Sequence, residues 1–195
     1  MDLSSATYHH GDLKNALVRA ARVQIAEKGA ASLNLRAVAR VLGVTHPAAY
    51  RHFANKEALL EAVAQEGFDE LADALHKSVE GEKGLERTLY ALADAYLNFA
   101  LENPELTRVM FALIPAEARM KNERLYAASK RAYTALTTSV ETLRGDTSTD
   151  SAVVWALLHG LAKLTIEKQV PLLEDAAKRR AVVMRAVGVL AKGLT

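Results

Sequence analysis

Apolar residues along this chain recur at spacings of three and four, and no stretch alternates with the period of two typical of a half-buried strand. Residues three and four apart share one face of a helix, so the spacing predicts amphipathic helices. Proline, which interrupts helices, occurs only at positions 47, 104, 115 and 171. We therefore predict an all-α protein.

The apolar pattern predicts about nine helices, with a division of the chain near residue 56. A chain of 195 residues can bury roughly 70% of its unfolded surface, so its core needs no covalent cross-links. We expect one domain over residues 1–56 and a second over residues 57–195. The helices are expected at about 12–28, 35–42, 46–53, 56–79, 84–102, 105–113, 117–143, 149–168 and 173–192.

The chain contains no cysteine, which excludes disulfides, thiol nucleophiles and cysteine metal sites. Residues 1–10 are polar and lack the apolar segment of a secretory signal. No run approaches the ~20 apolar residues of a transmembrane helix. We therefore expect a soluble, cytoplasmic protein with no membrane partner.

Charge is distributed unevenly along the chain. Residues 1–60 hold 8 Lys/Arg and 4 Asp/Glu, so this part carries +4, and the remainder carries −2 of the total of +2. Four of the six histidines also lie in these 60 residues. A basic N-terminal segment followed by a faintly acidic remainder favours a polyanionic partner at one end of the protein, although an excess of four charges could also arise by chance.

The stretch from Leu33 to Leu60 has the pattern of two short helices joined by a tight turn. Gly29 ends the helix before this stretch, and Asn34 or Ser32 can cap the first of the two helices. Gly43 permits the positive φ that such a turn requires. Thr45 offers a side-chain oxygen to the free N–H groups of the next helix, and Pro47 falls in that helix's first turn. This arrangement is a helix-turn-helix.

The second of these helices presents donors, a phenol and small side chains on its outward face. Such a helix can enter a DNA major groove with its N-terminal residues at the base edges, while nearby cations reach phosphates. We predict double-stranded operator DNA as the partner. The candidate DNA-binding residues are Arg36, Thr45, His46, Ala48, Tyr50, Arg51, His52 and Lys56.

The segment VTHPAAYRHFANKEALL resembles the recognition-helix signature of the TetR family, in which Tyr-x-x-Phe precedes Lys-Glu-x-Leu. YHHGDLKNALVRAA, residues 8–21, is similar to the family's first helix, and the helix order fits over residues 8–76. The resemblance implies that Tyr50 and Lys56 contact the DNA backbone and that Phe53 and Leu59 are core. Ala49 departs from the family, which usually has a larger apolar residue there.

The segment WALLHGLAKL resembles the C-terminal domain of a TetR subgroup named for a Trp and a His-Gly pair. Trp155 and His159 should be neighbours on one helical face, and Gly160 suggests close approach of another helix, in this chain or in a symmetry mate. The family implies a pocket for a small apolar or aromatic effector, although some relatives have no known ligand. Its candidate residues are Tyr96, Phe99, Met110, Phe111, Met120, Tyr126, Trp155 and His159.

In TetR proteins the last two helices of each subunit form a four-helix dimer interface, and the corresponding helices here have wide apolar faces. A two-fold dimer would hold two recognition helices about 34–36 Å apart, one DNA turn, on a palindromic operator. The implied function is a ligand-released repressor, although activators also exist in the family. The candidate dimer residues are Val154, Leu158, Leu161, Val182, Ala186 and Val189.

Two other functional classes remain to be weighed. An enzyme is disfavoured because the sequence has no nucleophile elbow, phosphate-cradling glycine loop, His-x-x-x-His metal pair or repeated Glu-x-x-His. We expect no catalytic residue, metal or cofactor. A helical protein–protein adaptor without DNA binding is the alternative. Salt dependence distinguishes it, because DNA binders release counterions and weaken steeply as salt rises.

Overall fold

A computed structural model of the chain describes residues 10–144 and 148–193, and it confirms the all-α prediction: these residues form helices and no strand. Ten α-helices are present among them, one more than the pattern predicted. They are α1 (His10–Lys28), α2 (Leu35–Val41), α3 (His46–Tyr50), α4 (Lys56–Ser78), α5 (Leu85–Glu102), α6 (Pro104–Arg108), α7 (Ala116–Lys121), α8 (Glu123–Arg144), α9 (Ser148–Ile166) and α10 (Ala176–Gly193).

Helices α1 to α3 form a small N-terminal unit, here called the head. Its turns are built as the sequence predicts. Gly29 follows α1 with a φ of 74°, and Gly43 joins α2 to α3 with a φ of 67°. Asn34 caps α2, because its Oδ1 accepts a hydrogen bond from the backbone N–H of Arg36 at 2.9 Å. The head therefore has the helix-turn-helix geometry.

The start of α3 differs from the prediction in one respect. The side chain of Thr45 makes no capping hydrogen bond. Its backbone carbonyl instead accepts from the N–H groups of Ala48 and Ala49, at 3.1 and 3.2 Å. Pro47, which has no N–H to satisfy, lies in the first turn as expected. The hydroxyl of Thr45 is therefore left free on the exposed surface of the head.

Helix α4 is the central element of the structure, because it packs against α1 of the head and against α5 and α8 of the remaining chain. One continuous apolar core includes the buried face of α4 and reaches into both the head and the rest of the chain. The predicted domain boundary at residue 56 thus falls at the start of a helix that both parts share. The buried positions of α4 are Leu59, Val63, Ala64, Gly67, Phe68, Leu71, Ala72 and Leu75.

Gly67 lies in the middle of α4, where glycine costs roughly 1 kcal/mol relative to alanine. A Cβ at this position would lie 2.7 Å from the Met110 Sδ and 3.0 Å from the Leu106 Cδ1. Met110 belongs to a π-helical turn, Val109–Leu113, that follows α6 directly. The glycine is explained by this close approach of the α6 region to α4.

The single helix predicted over residues 117–143 is wrong, since Asn122 divides it into α7 and α8. Asn122 has an extended backbone, with φ −93° and ψ 100°. Its Oδ1 accepts from the N–H of Leu125 at 3.2 Å, which caps α8, and its Nδ2 donates to Glu61 of α4 at 2.8 Å. Asn122 therefore ends α7 through its extended backbone and caps α8 through its side chain.

The C-terminal helices complete the body of the protein. Helix α5 packs against both α9 and α10, and α8 packs against α9. Helix α10 begins later than predicted, after a 3-10 turn at Pro171–Leu173, because Asp175 accepts from the N–H of Lys178 and starts the helix there. None of the described helices has the length and hydropathy needed to cross a membrane.

Candidate nucleic-acid interface and ligand pocket

Helix α3 has one inward and one outward side. Ala49 is fully buried, and Phe53 just beyond the helix is also buried, so the small residue that departs from the family pattern fills a core position. Tyr50 and Arg51 remain exposed on the other side. The burial of Phe53 and Leu59 confirms the core roles that the resemblance implied.

The charge around α3 has a single sign. Between Glu27 and Glu57 the sequence contains no carboxylate. Five cationic side chains lie in the same interval: Lys28, Arg36, Arg40, Arg51 and Lys56. A segment with cations and no acid favours a polyanionic partner.

Lys56, at the start of α4, has a partner within the protein. Its Nζ donates to the carbonyl of Ala31 at 2.8 Å, and its side chain is half-buried. The adjacent Asn55 caps α4 by accepting from the N–H of Ala58 at 2.8 Å. Lys56 therefore ties the loop after α1 to α4, in addition to any contact with phosphate.

The structure places the eight candidate DNA-binding residues on or beside one helix-turn-helix, and their roles toward DNA stay a prediction. Three of them, Ala48, His52 and Lys56, are half-buried. The other five, Arg36, Thr45, His46, Tyr50 and Arg51, are exposed. Tyr8 and His9, which open the stretch resembling the family's first helix, lie outside the described residues.

A second candidate site lies in the helical body, where aromatic rings from five segments meet. The ring of Phe111, in the π turn, lies 4.7 Å from that of His159 and 6.0 Å from that of Trp155, centroid to centroid. Tyr96 of α5 contacts Trp155 edge to face at 5.6 Å. The predicted sharing of one face of α9 by Trp155 and His159 is confirmed.

The cluster contains one buried polar pair. The Oη of Tyr96 and the Nδ1 of His159 are joined by a hydrogen bond of 3.0 Å. Burial raises the pKa of the Tyr96 hydroxyl. Burial, with a smaller effect of Lys163, lowers the pKa of His159. Both side chains are therefore held in their neutral forms near neutral pH.

A pocket of about 310 Å³ opens beside this cluster, between α4, the π turn, α7, α8 and α9. Of the predicted pocket residues, Phe111, Met120, Tyr126 and Trp155 line it. Sequence reasoning did not include several other lining residues among its candidates. These are Phe68, Ala116, Arg119, Ser129 and Lys130, and Tyr133 lines the pocket as well. The spacing of Tyr126, Ser129, Lys130 and Tyr133 along α8, three or four residues apart, was the signal that could have found them.

Two predicted pocket residues lie elsewhere. Met110 is fully buried against Gly67, and Phe99 is buried in the core on α5. Neither lines the pocket. Tyr96 and His159 stand behind the pocket wall, in contact with Phe111 or Trp155. The apolar pattern could not separate these cases, because core and pocket positions have the same composition.

An apolar groove lies on the outer side of α9 and α10. The predicted dimer residues Val182, Ala186 and Val189 line it, together with Val153 and Leu157. Val154 and Leu158 do not reach this surface, because each is only 1% exposed and packed in the protein's own core. Leu161 is half-buried against the core and does not line the groove.

Helix α9 carries apolar residues in adjacent pairs, which form two stripes. Val154 and Leu158 belong to the stripe that faces inward, and Val153 and Leu157 belong to the stripe that lines the groove. The dimer interface itself stays a prediction. A Cβ at Gly160 would have no neighbour within 4 Å among residues 10–144 and 148–193. No close approach of another described helix of the same chain therefore accounts for this glycine.

Comparison with protein families gives two matches that together span the head and most of the body. Residues 17–63 match the model described as bacterial regulatory proteins, tetR family. Residues 89–187 match the model described as tetracyclin repressor-like, C-terminal domain. The second match alone covers half of the chain.

Individual relatives agree with these matches. The HTH-type transcriptional regulator YobS of Bacillus subtilis, itself uncharacterized, is 31% identical over 94 residues, which are 48% of this chain and 49% of that protein. The chain thus spans about half the length of the curated relatives it matches. A protein of unknown function from Rhodococcus sp. RHA1 is 31% identical, with a TM-score of 0.79, over 97% of this chain and 98% of its own. A tetR-family regulatory protein from Rhodococcus RHA1 shares the fold at 20% identity and a TM-score of 0.66, over 92% of this chain and 95% of its own.

The lowered pKa of His159 predicts a pH dependence of stability. The unfolded chain takes up a proton near pH 6.5, whereas the folded protein resists protonation. The stabilising contribution of neutral His159 is therefore fully present above about pH 6.5 and is lost as the pH falls below it. The free energy of unfolding, measured by urea denaturation, should decrease from about pH 7.5 to pH 5.5 more in the native protein than in His159→Gln.

The histidine at the exposed position 76 provides the matched control, since His76→Gln removes a histidine from the same protein outside the aromatic cluster. Carboxylates such as Glu66 contribute equally to all three proteins, so they cancel in the comparison. Parallel pH profiles for native protein and His159→Gln would contradict the assignment of a neutral, desolvated His159.

Proposed function

This chain belongs to the tetR family of bacterial regulatory proteins, and we propose that it regulates transcription by binding operator DNA as a homodimer. In this proposal the operator is palindromic, the protein acts in the cytoplasm as a repressor, and a small apolar or aromatic effector releases it. DNA binding, dimerisation and ligand release each rest on a different part of the molecule.

The observation that carries the proposal for DNA is the acid-free interval around α3. Five cations and no carboxylate lie between Glu27 and Glu57, and the exposed residues of α3 project from the middle of that interval. In the proposed complex α3 enters the major groove with Thr45 and His46 toward the base edges. Tyr50 and Arg51 bind the phosphates on one side.

The apolar groove of α9 and α10 supports the proposal of a dimer. Val153, Leu172 and Val189 are 45%, 50% and 55% exposed, although each is a large apolar side chain. A monomer rarely leaves so many apolar groups together in water, so a second copy of the chain is the proposed cover. A two-fold contact there would also bring Gly160 near a symmetry mate.

Release by an effector requires that the pocket be coupled to the head. Phe111 lines the 310 Å³ pocket on one side and a smaller cavity of about 70 Å³, with Thr107 and His159, on the other. Its ring therefore has space on both sides. The preceding residue, Met110, packs on Gly67 of α4. In our proposal an effector that displaces Phe111 shifts the π turn against α4 and thereby moves the head.

Selection of binding sites from random DNA, followed by affinity measurement, tests the DNA-binding proposal. We expect the native protein to enrich a palindrome and to bind it less tightly as salt rises. Arg51→Gln should weaken binding about tenfold, since a dimer loses two phosphate contacts, and should reduce the slope of affinity against salt.

Arg87→Gln, at an exposed position near the start of α5 and beyond the end of α4 that lies away from the head, is the matched control and should bind DNA like the native protein. The DNA-binding proposal fails if the folded protein enriches no sequence at low salt. A helical adaptor would then be the better explanation, because such a protein has no reason to prefer DNA.

The proposed dimer surface leads to a separate expectation. Val189→Asp places a carboxylate in the centre of the apolar groove, where a partner would have to desolvate it. We expect this variant to sediment as a monomer at concentrations where the native protein is a dimer. Val23→Asp, at a position of α1 that is 58% exposed, is the matched control. Equal sedimentation of both variants as dimers would place the interface elsewhere.

A further inference from the structure

The 310 Å³ pocket has walls that suit a flat aromatic molecule. Phe111 and Tyr133 pack around Trp155, with ring centroids 6.0 and 5.4 Å apart and the rings steeply inclined to one another. Phe68 closes the inner end, in edge contact with Phe111 at 5.1 Å. A further ring can add to such a cluster with the same edge-to-face geometry. The volume is that of a small ligand site.

The charged groups of this pocket have one sign. Arg119 and Lys130 line it, and none of its described lining residues is a carboxylate. Arg119 lies over the ring of Phe68, 5.7 Å from its centroid, and is half-buried. Two cations beside a partly exposed aromatic wall favour a ligand that brings a negative charge.

Two acids of α4 that follow Phe68 along the helix are already paired with an arginine. Asp69 and Asp73 both pair with Arg131, which stands next to Lys130 on α8. Neither Arg119 nor Lys130 forms an ion pair with any residue in the described parts of the chain. The two cations that line the pocket can therefore pair with an anionic ligand without first breaking an ion pair.

We propose that the effector of this protein is a small aromatic acid. Its ring lies among Phe111, Tyr133 and Trp155, and its carboxylate pairs with Arg119 and Lys130 at the pocket mouth. This inference rests on the proposed effector response and makes it specific. It excludes aromatic amines, which the two cations repel. It also excludes neutral aromatics as the preferred class, since these leave both cations without a partner.

Trp155 is the only tryptophan in the chain and forms part of the pocket wall, so its fluorescence reports on this site without DNA. The probes are phenylpropionate, its neutral amide phenylpropionamide and the cation phenylpropylamine, which share one ring and one chain length. We expect phenylpropionate to change the Trp155 emission saturably. The amide should bind about tenfold more weakly and the amine should not bind.

Variants then test the two cations. Arg119→Gln and Lys130→Gln should each weaken binding of the acid about fivefold to tenfold and leave binding of the amide unchanged. Lys121→Gln, on the same helix as Arg119 and outside the pocket lining, should bind the acid like the native protein. Because Arg119 also packs on Phe68, Lys130→Gln provides the test in which no packing contact is removed.

The outcomes separate this inference from the proposed function. Tighter binding of the acid that is lost in the two variants supports the aromatic-acid site, whether or not the protein releases DNA. Saturable acid binding without any change in operator affinity supports the site and contradicts ligand-released repression. Any one of three results overturns the inference: equal affinity for acid and amide, no effect of Arg119→Gln and Lys130→Gln, or no binding of any probe. Operator binding is tested separately by its own assay.

Discussion

The packing of α4 against α1, α5 and α8 determines how the other helices of this protein are arranged. One side of α4 contributes its apolar residues to a core that continues into both the head and the body. On its surface, α4 carries two pairs of acids that bind arginines from other helices. Arg22 of α1 pairs with Glu66 and Glu70, with the Arg22 Nη2 2.8 Å from the Glu70 Oε2. Arg131 of α8 pairs with Asp69 and Asp73. Exposed pairs of this kind contribute little to stability individually, so their main effect is to define how α1 and α8 lie on α4.

Because α4 is shared, the ligand pocket and the DNA-binding head are parts of one packed unit. The pocket reaches α4 through Phe68, while the π turn reaches it through Met110 on Gly67. A packed core transmits displacement, since it has little free volume in which to absorb it. The cavities beside Phe111 leave free volume next to α4, at the place where the proposed ligand would act. The proposed switch uses this free volume.

Local sequence rules predicted the all-α fold and the turns of the head, because Gly29, Asn34 and Gly43 act on their immediate neighbours. They failed where a distant residue decides the outcome. The break at Asn122 depends partly on Glu61, which is 61 residues away along the chain. The two apolar stripes of α9 are equivalent in the sequence, and the packing of α5 and α8 against α9 determines which one is buried. The sequence identified Phe111 and Trp155 as pocket residues but did not identify the pocket's cations. Arg119 and Lys130 line the pocket only because α7 and α8 fold beside Phe68, and no local pattern predicts that packing.

The central claim is that α4 and the dimer surface together hold two heads at the spacing of one DNA turn. The most direct test is to insert about five base pairs, half a turn, between the half-sites of the selected palindrome and to measure the affinity of the native dimer. We predict a loss of at least about a hundredfold, because the second head then faces the opposite side of the duplex and cannot follow. Unchanged affinity would contradict the account, since it would mean that the heads bind independently or on flexible connections.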